Sequence, residues 1–219
     1  MRGWIKVNSQ AMLQLVIVIA AVILLGWLAS WMFAQKPVTN AQQLIQQHRY
    51  EDAVNAAKDD PLHRAEALKL LGRFDEAIAS YRQSNDPAAR EGIALSLAHL
   101  GRDLDEAKRL MEETIALHPQ IQEFQALGLA YIQLKRGERD DALRIYNDNV
   151  ELLETRFRDD YTDPDPLLAE TLVMFAALAE AAGDPTRATE LRAQAAQWAP
   201  QSVWNAGVPP AGPAASSPP

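Results

Sequence analysis

The sequence predicts an all-α protein built from antiparallel helix pairs and preceded by one membrane-spanning helix, and three observations lead there. Gly72, Gly137 and Gly183 are each followed five positions later by alanine, at Ala77, Ala142 and Ala188. A glycine that can end a helix in the left-handed region, then a small residue where two helices cross closely, is what a helix-turn-helix corner requires. The composition is 48% apolar with few β-branched runs, which supplies a helical core more readily than a sheet. Residues 11–34 form an unbroken stretch of 24 residues without a charge. At about 1.5 Å per residue such a helix crosses a hydrocarbon core of about 30 Å.

In chain order, residues 1–10 are a short N-terminal segment and 11–34 the transmembrane helix. Trp4 lies on one side of it and Trp27, Trp31 and Phe33 on the other, where interfacial aromatic residues belong. The apolar run is too long for a cleaved signal peptide, and Trp31-Met32-Phe33-Ala34 is a poor small-x-small cleavage site, so the segment reads as an uncleaved signal-anchor. Arg2 and Lys6 precede it, while Lys36 and Arg49 follow, a bias toward an N-terminus inside the cell. The expected location is therefore the inner (cytoplasmic) membrane, single-pass, with the repeat domain in the periplasm. Gly26, Ser30 and Ala34 form a stripe of small residues along the anchor that allows a homo-oligomer.

Residues 35–200 carry the repeats. A half-copy, Arg49-Tyr50-Glu51-Asp52-Ala53, echoes Arg73-Phe74-Asp75-Glu76-Ala77 in the first full copy. The second copy has Ile93, Ala94 and Leu97 on its first helix, then Gly101, Ala107 and Pro119, with one extra residue at the turn. The third runs through Phe124, Leu127, Gly128 and Tyr131 to Gly137 and Ala142. The fourth has Gly183, Ala188, Ala195 and Pro200, with Leu172, Phe175, Ala176 and Ala179 on its first helix. Asp60-Pro61, Asn85-Asp86-Pro87 and Asp184-Pro185 place an N-cap before a proline at the start of a helix. The longest interruption is the loop from Arg158 to Pro166, and 201–219 is a Pro/Ala-rich tail expected to be disordered.

The third copy's order of aromatic, Leu-Gly and Tyr, Phe124-x-x-Leu127-Gly128-x-x-Tyr131, resembles the opening of a tetratricopeptide repeat, whose period is about 34 residues. The resemblance covers residues 39 to 200 and implies a right-handed α-solenoid of about ten helices with no strand. It also implies a role in binding proteins, as a scaffold or assembly factor, with a peptide or helix lying in the concave groove formed by the first helix of each pair. Carried over residue by residue, the groove positions are Gln122, Gln125, Leu129, Ile132 and Gln133, with Glu91, Leu95 and His99 from the preceding copy. The architecture is similar to that of bacterial accessory factors with one anchor and a periplasmic repeat domain, among them cytochrome c maturation and translocon-associated proteins.

After Ala34 the chain carries 29 acidic against 19 basic residues, a formal −10, which excludes nucleic acid as a partner. The absence of cysteine excludes disulfides, thiolate metal sites and cysteine nucleophiles. His48, His63, His99 and His118 show no metal-ligand spacing, and no nucleophile elbow or phosphate loop occurs. Oxygen ligands cluster only in the loop Asp159-Asp160-Tyr161-Thr162-Asp163-Pro164-Asp165, which lacks the glycine and distal glutamate of a calcium loop. It reads as a linker capping the next helix, and a metal-dependent hydrolase centred there is the catalytic alternative. The expectation is a protein that is no enzyme and takes no cofactor or metal.

Overall fold

In a computed structural model the described residues are 40–117, 122–159 and 163–205. Among them are ten α-helices and no strand: α1 (Asn40–Gln46), α2 (Tyr50–Ala56), α3 (Pro61–Leu70), α4 (Phe74–Tyr81), α5 (Ala88–Leu100), α6 (Leu104–Leu117), α7 (Gln122–Lys135), α8 (Arg139–Asp159), α9 (Ala169–Ala182) and α10 (Pro185–Trp198). Single 3-10 turns stand before α9, at Pro166–Leu168, and after α10, at Val203–Asn205. The protein is all-α, as its composition and spacing predict.

Each odd helix is joined to the next even one by the same corner. The residue at the corner is left-handed: His48 (φ 60°), Gly72 (74°), Gly101 (65°), Gly137 (83°) and Gly183 (92°). The amide that follows donates to a carbonyl five residues back in every case: Arg49 to Leu44, Arg73 to Leu68, Arg102 to Leu97, Glu138 to Gln133 and Asp184 to Ala179, at 2.8 to 3.2 Å. This closes the helix end, because carbonyls without an intrahelical partner gain one. Ala53, Ala77, Ala107, Ala142 and Ala188 then sit fully buried where the returning helix crosses. The half-copy at Arg49 is thus a complete corner with histidine in the glycine position. The extra residue of the second copy is absorbed by Asp103, itself left-handed at φ 50°.

Corner arginines link neighbouring pairs. Arg73 reaches Glu51, Arg102 reaches Asp75 and Arg136 reaches Asp105, and each acceptor is the second residue of the preceding even helix. Such exposed pairs are individually weak, but each also places an anion at a helix N-terminus, where the backbone dipole favours it. Asp60 and Asp184 accept from the amides of His63 and Arg187 at 3.2 and 2.9 Å, capping the helices that begin at Pro61 and Pro185 as expected.

Consecutive helices pack against one another, and the odd helices also touch in a row, α1 to α3, α3 to α5, α5 to α7 and α7 to α9. The core between the layers is formed by Leu68, Leu97, Leu127, Leu153, Phe175 and Leu178 with the corner alanines. Two glycines mark the tightest approaches. A Cβ at Gly92 would stand 2.3 Å from Cζ of the buried Tyr81 ring, and one at Gly128 would stand 2.8 Å from Cε of Met111.

One expectation is corrected. The inner-membrane, single-pass location does not stand, because among the described residues no helix is long and apolar enough to cross a membrane. The longest, α8, has 21 residues, but 10 of them are charged. Residues 11–34, from which that location was read, lie outside the described residues, as do 1–10 and 206–219. Beyond Pro200, Ser202 and Trp204 are buried.

The two glycines respond differently to a methyl group. Gly92→Ala forces a buried aromatic ring to move, and overpacking of this kind costs on the order of 1–3 kcal/mol. Gly128→Ala meets the flexible end of Met111 and, at 3.3 Å, a terminal methyl of Leu95, and gains about 1 kcal/mol of helix propensity, so it should be near neutral. Urea denaturation of both variants checks the order, and a Gly92→Ala midpoint at or above that of the parent would refute the packing described.

Candidate functional site

The row of odd helices does not face open solvent. After α8 the chain returns across it: Asp165 accepts from the Gln46 side chain of α1 at 3.2 Å and caps the 3-10 turn by accepting from the Leu167 amide at 2.9 Å. Glu170, in the first turn of α9, then inserts between α3 and α5. Its carboxylate pairs with Lys69 through one oxygen and with Nε2 of His99 at 2.9 Å through the other. Nδ1 of His99 lies 3.2 Å from the hydroxyl of Tyr131 on α7. A carboxylate can only accept, so Nε2 donates to Glu170, leaving Nδ1 and the phenol to share the remaining bond.

Aromatic rings enclose the centre. Phe74 stacks on the His99 ring at 5.2 Å, and Trp204 lies against it at 4.7 Å between centroids. Val203 packs over Gly72, with Cγ2 3.0 Å from where a Cβ would be. The 3-10 turn after α10 therefore closes over a buried polar centre.

Charge follows from this geometry. Burial alone would raise the Glu170 carboxyl, but the Lys69 ammonium and the His99 bond outweigh it and hold it at about 2. Burial would likewise lower Lys69, yet Glu170 raises it above its ordinary value. Burial pushes up the phenols of Tyr81 and Tyr131. Burial also raises Glu66, one turn before Lys69, and one of its carboxylate oxygens is buried without a hydrogen bond.

Beside this centre lies a cleft of about 230 Å³ between α3, α5, the start of α7 and residues 167–171. Leu62, Leu95, Phe124, Leu167 and Leu168 give it apolar walls. Glu66, Tyr81 and Glu91 provide polar groups along the lining, next to the Lys69–Glu170 pair.

The groove expected from the sequence is thus only partly present. Gln125, Ile132, Gln133 and Leu95 are buried, Leu129, Glu91 and His99 are half-buried, and the Gln122 side chain lies outside the described residues. The physical reason is that α9 packs on α7 and residues 165–171 fill the adjoining face, so these positions meet the protein's own chain. Glu91 and Leu95 do line the remaining cleft, and His99 belongs to the centre beside it. Lys69, Glu170, Glu66, Tyr81 and Trp204 were not singled out from the sequence as site residues. The available signal was Glu170, the one charged residue between Leu167 and Ala179.

Among the described residues no group of three or more His, Asp or Glu side chains is gathered to hold a metal ion, and Asp160 to Thr162 of the acidic loop lie outside them. Asp165 acts as a cap. No known family model matches the chain, and no curated protein matches it.

The Glu170 centre has a pH signature. A carboxyl held below its ordinary 4.5 contributes stability that is fully present above that value and is lost as pH falls toward about 2. Glu170→Gln leaves Lys69 buried without its counter-ion, a loss of about 3–5 kcal/mol at neutral pH. The stability gap between parent and variant, followed by denaturant unfolding at each pH, should narrow as pH falls from 4.5 toward 2. A gap that stays constant across that window would show that Glu170 is not held ionised by its partners.

Proposed function

We propose that the chain is a protein-binding module, a right-handed tetratricopeptide-like solenoid of five helix pairs that acts as a scaffold or assembly factor by gripping a short segment of a partner on its odd-helix face. The five equivalent corners and the buried alanine after each support the repeat reading. The observation that carries the binding role is that this face already receives a peptide-like segment. Residues 165–171 lie on it through the contacts of Asp165 with α1 and of Glu170 with α3 and α5, and beside them the cleft remains. A face that holds a short segment by side-chain contacts has the chemistry of a peptide groove.

The reading assigns no catalytic step and no cofactor. The centre at Glu170 pairs an ionised carboxylate with two donors beneath an aromatic cover, an arrangement that fixes a chain segment in place. The acidity of the chain disfavours nucleic acid as the partner.

Peptide display on the full-length chain tests the proposal. Ala88 is exposed at the rim of the cleft, so Ala88→Trp fills the mouth without entering the core. Selected peptides should lose at least about tenfold in affinity against the variant, as expected when a buried anchor is excluded, while its unfolding midpoint is unchanged. Peptides that bind parent and variant alike would place the binding face elsewhere.

A further inference from the structure

The four glycine corners differ in what covers them. A Cβ at Gly101, Gly137 or Gly183 would meet nothing within 4 Å, whereas at Gly72 the Val203 side chain stands directly against the turn. Trp204 follows it onto Phe74 and His99, with ring centroids 5.9 and 4.7 Å away. Residues 202–204 therefore occupy a seat made by the Gly72 corner, the start of α4 and the end of α5. The repeat builds such a corner several times, and the chain's own late segment fills this one.

The occupant carries its own polar bonds with it. The amide and hydroxyl of Ser202 donate to the Ala199 carbonyl at 3.1 and 2.7 Å, and the Trp204 amide donates to Oγ of Ser202 at 3.2 Å. Its hold on the seat consists of methyl and ring contacts. Trp204 is 8% exposed, yet its indole Nε1 is buried without a hydrogen-bond partner among the described residues. A buried donor with no acceptor has given up its bond to water and gained none in return. A phenyl ring would make the same kind of contact with Phe74 and His99 and strand no donor. The seat is thus filled by a ring that it does not fully satisfy.

We infer that residues 202–205 are an autoinhibitory segment, a built-in competitor that lifts from the seat about Ala199, where α10 ends, and yields it to a phenylalanine of the partner's segment. The hydrogen bonds within the segment move with it, and α10 stays packed on α9. Glu170 links the seat to the cleft, since one of its oxygens meets His99 and the other Lys69, so a bound segment can reach from one into the other. The inference rests on the reading of the chain as a protein-binding module and adds its regulation and its aromatic anchor.

Two measurements on the full-length chain, labelled with nitrogen-15, test it. The Trp204 indole, assigned with Trp204→Phe, should show protection from hydrogen exchange at least about a hundredfold lower than the Leu127 and Ala130 amides of α7, because the segment opens while the stack stays closed. Equal protection would mean that the segment leaves only on global unfolding, and overturns the inference. The second measurement supplies the segment in trans, as a synthetic heptapeptide of residues 199–205 with phenylalanine in place of the tryptophan. It should shift the Gly72 amide resonance of Trp204→Ala in a saturable way and bind the parent at least about tenfold more weakly, since the parent's seat is free only in its minor open state. The same heptapeptide with tryptophan should bind Trp204→Ala a few-fold more weakly. Equal affinity for parent and variant, or no saturable binding to the folded variant, overturns the autoinhibition, and a tighter tryptophan peptide overturns the phenylalanine anchor. Should Trp204→Ala fail to fold, the exchange measurement on the parent decides alone. Neither readout needs an outside partner, so both stand apart from the display experiment with Ala88→Trp. Displayed peptides that bind Trp204→Ala more tightly than the parent and are weakened by Ala88→Trp support both.

Discussion

The left-handed corner is the constraint from which the rest of the structure follows. Five times the chain leaves a helix through one residue at positive φ, and five times the next amide returns to a carbonyl five positions back. That geometry fixes where the following helix starts, and a residue without bulk is then needed where it crosses its partner, which is why Ala53, Ala77, Ala107, Ala142 and Ala188 are buried without exception. Larger side chains there would separate the pair and open the core that Leu68, Leu97 and Leu127 fill. The corner arginines add a second register, tying three of the five turns to the helix start of the pair before it.

Much of this framework is legible from the residues alone, because glycine at a helix end and alanine at a crossing leave a mark at fixed spacing. Gly72, Gly137 and Gly183 carry it plainly. Gly101 carries it out of step, since Asp103 takes an extra left-handed residue, and His48 hides it, since histidine tolerates the conformation without signalling it. The candidate site was far less legible. Assigning Gln125, Ile132 and Gln133 to an open groove follows from the resemblance of the third copy to a tetratricopeptide repeat, which says which face of α7 they share and nothing about what covers it. What covers it depends on contacts between residues far apart in sequence, Lys69 with Glu170 and His99 with Trp204. No spacing within a helix encodes such pairs. Trp204 lies beyond the last repeat proline, where a run of small and proline residues suggested an unstructured tail.

The buried centre at Glu170 is expensive to assemble, since three polar groups leave water together. Its value lies in discrimination more than in net stability, because a buried charge tolerates only the arrangement that pairs it. Glu170 finds Lys69 and His99 in one position of α9 relative to α3 and α5, and shifting that helix by a turn would strand all three. The apolar run of α9 could slide along other apolar faces with little penalty. The single carboxylate in it prevents this, and so fixes the walls of the neighbouring cleft as well.

The contact between Gln46 and Asp165 spans 119 positions, and that between Lys69 and Glu170 spans 101. A plain stack of helix pairs, in which each touches only its neighbours, can fold from any point outward and fray from its ends. Here the return of the chain across its own first helices joins early and late segments directly. Loop closure over such distances slows the search for the native state, and it also binds the pairs into one cooperative unit instead of a row of separable ones. During synthesis the first three pairs emerge with one face uncovered, and that face stays exposed until the residues around Trp204 have left the ribosome.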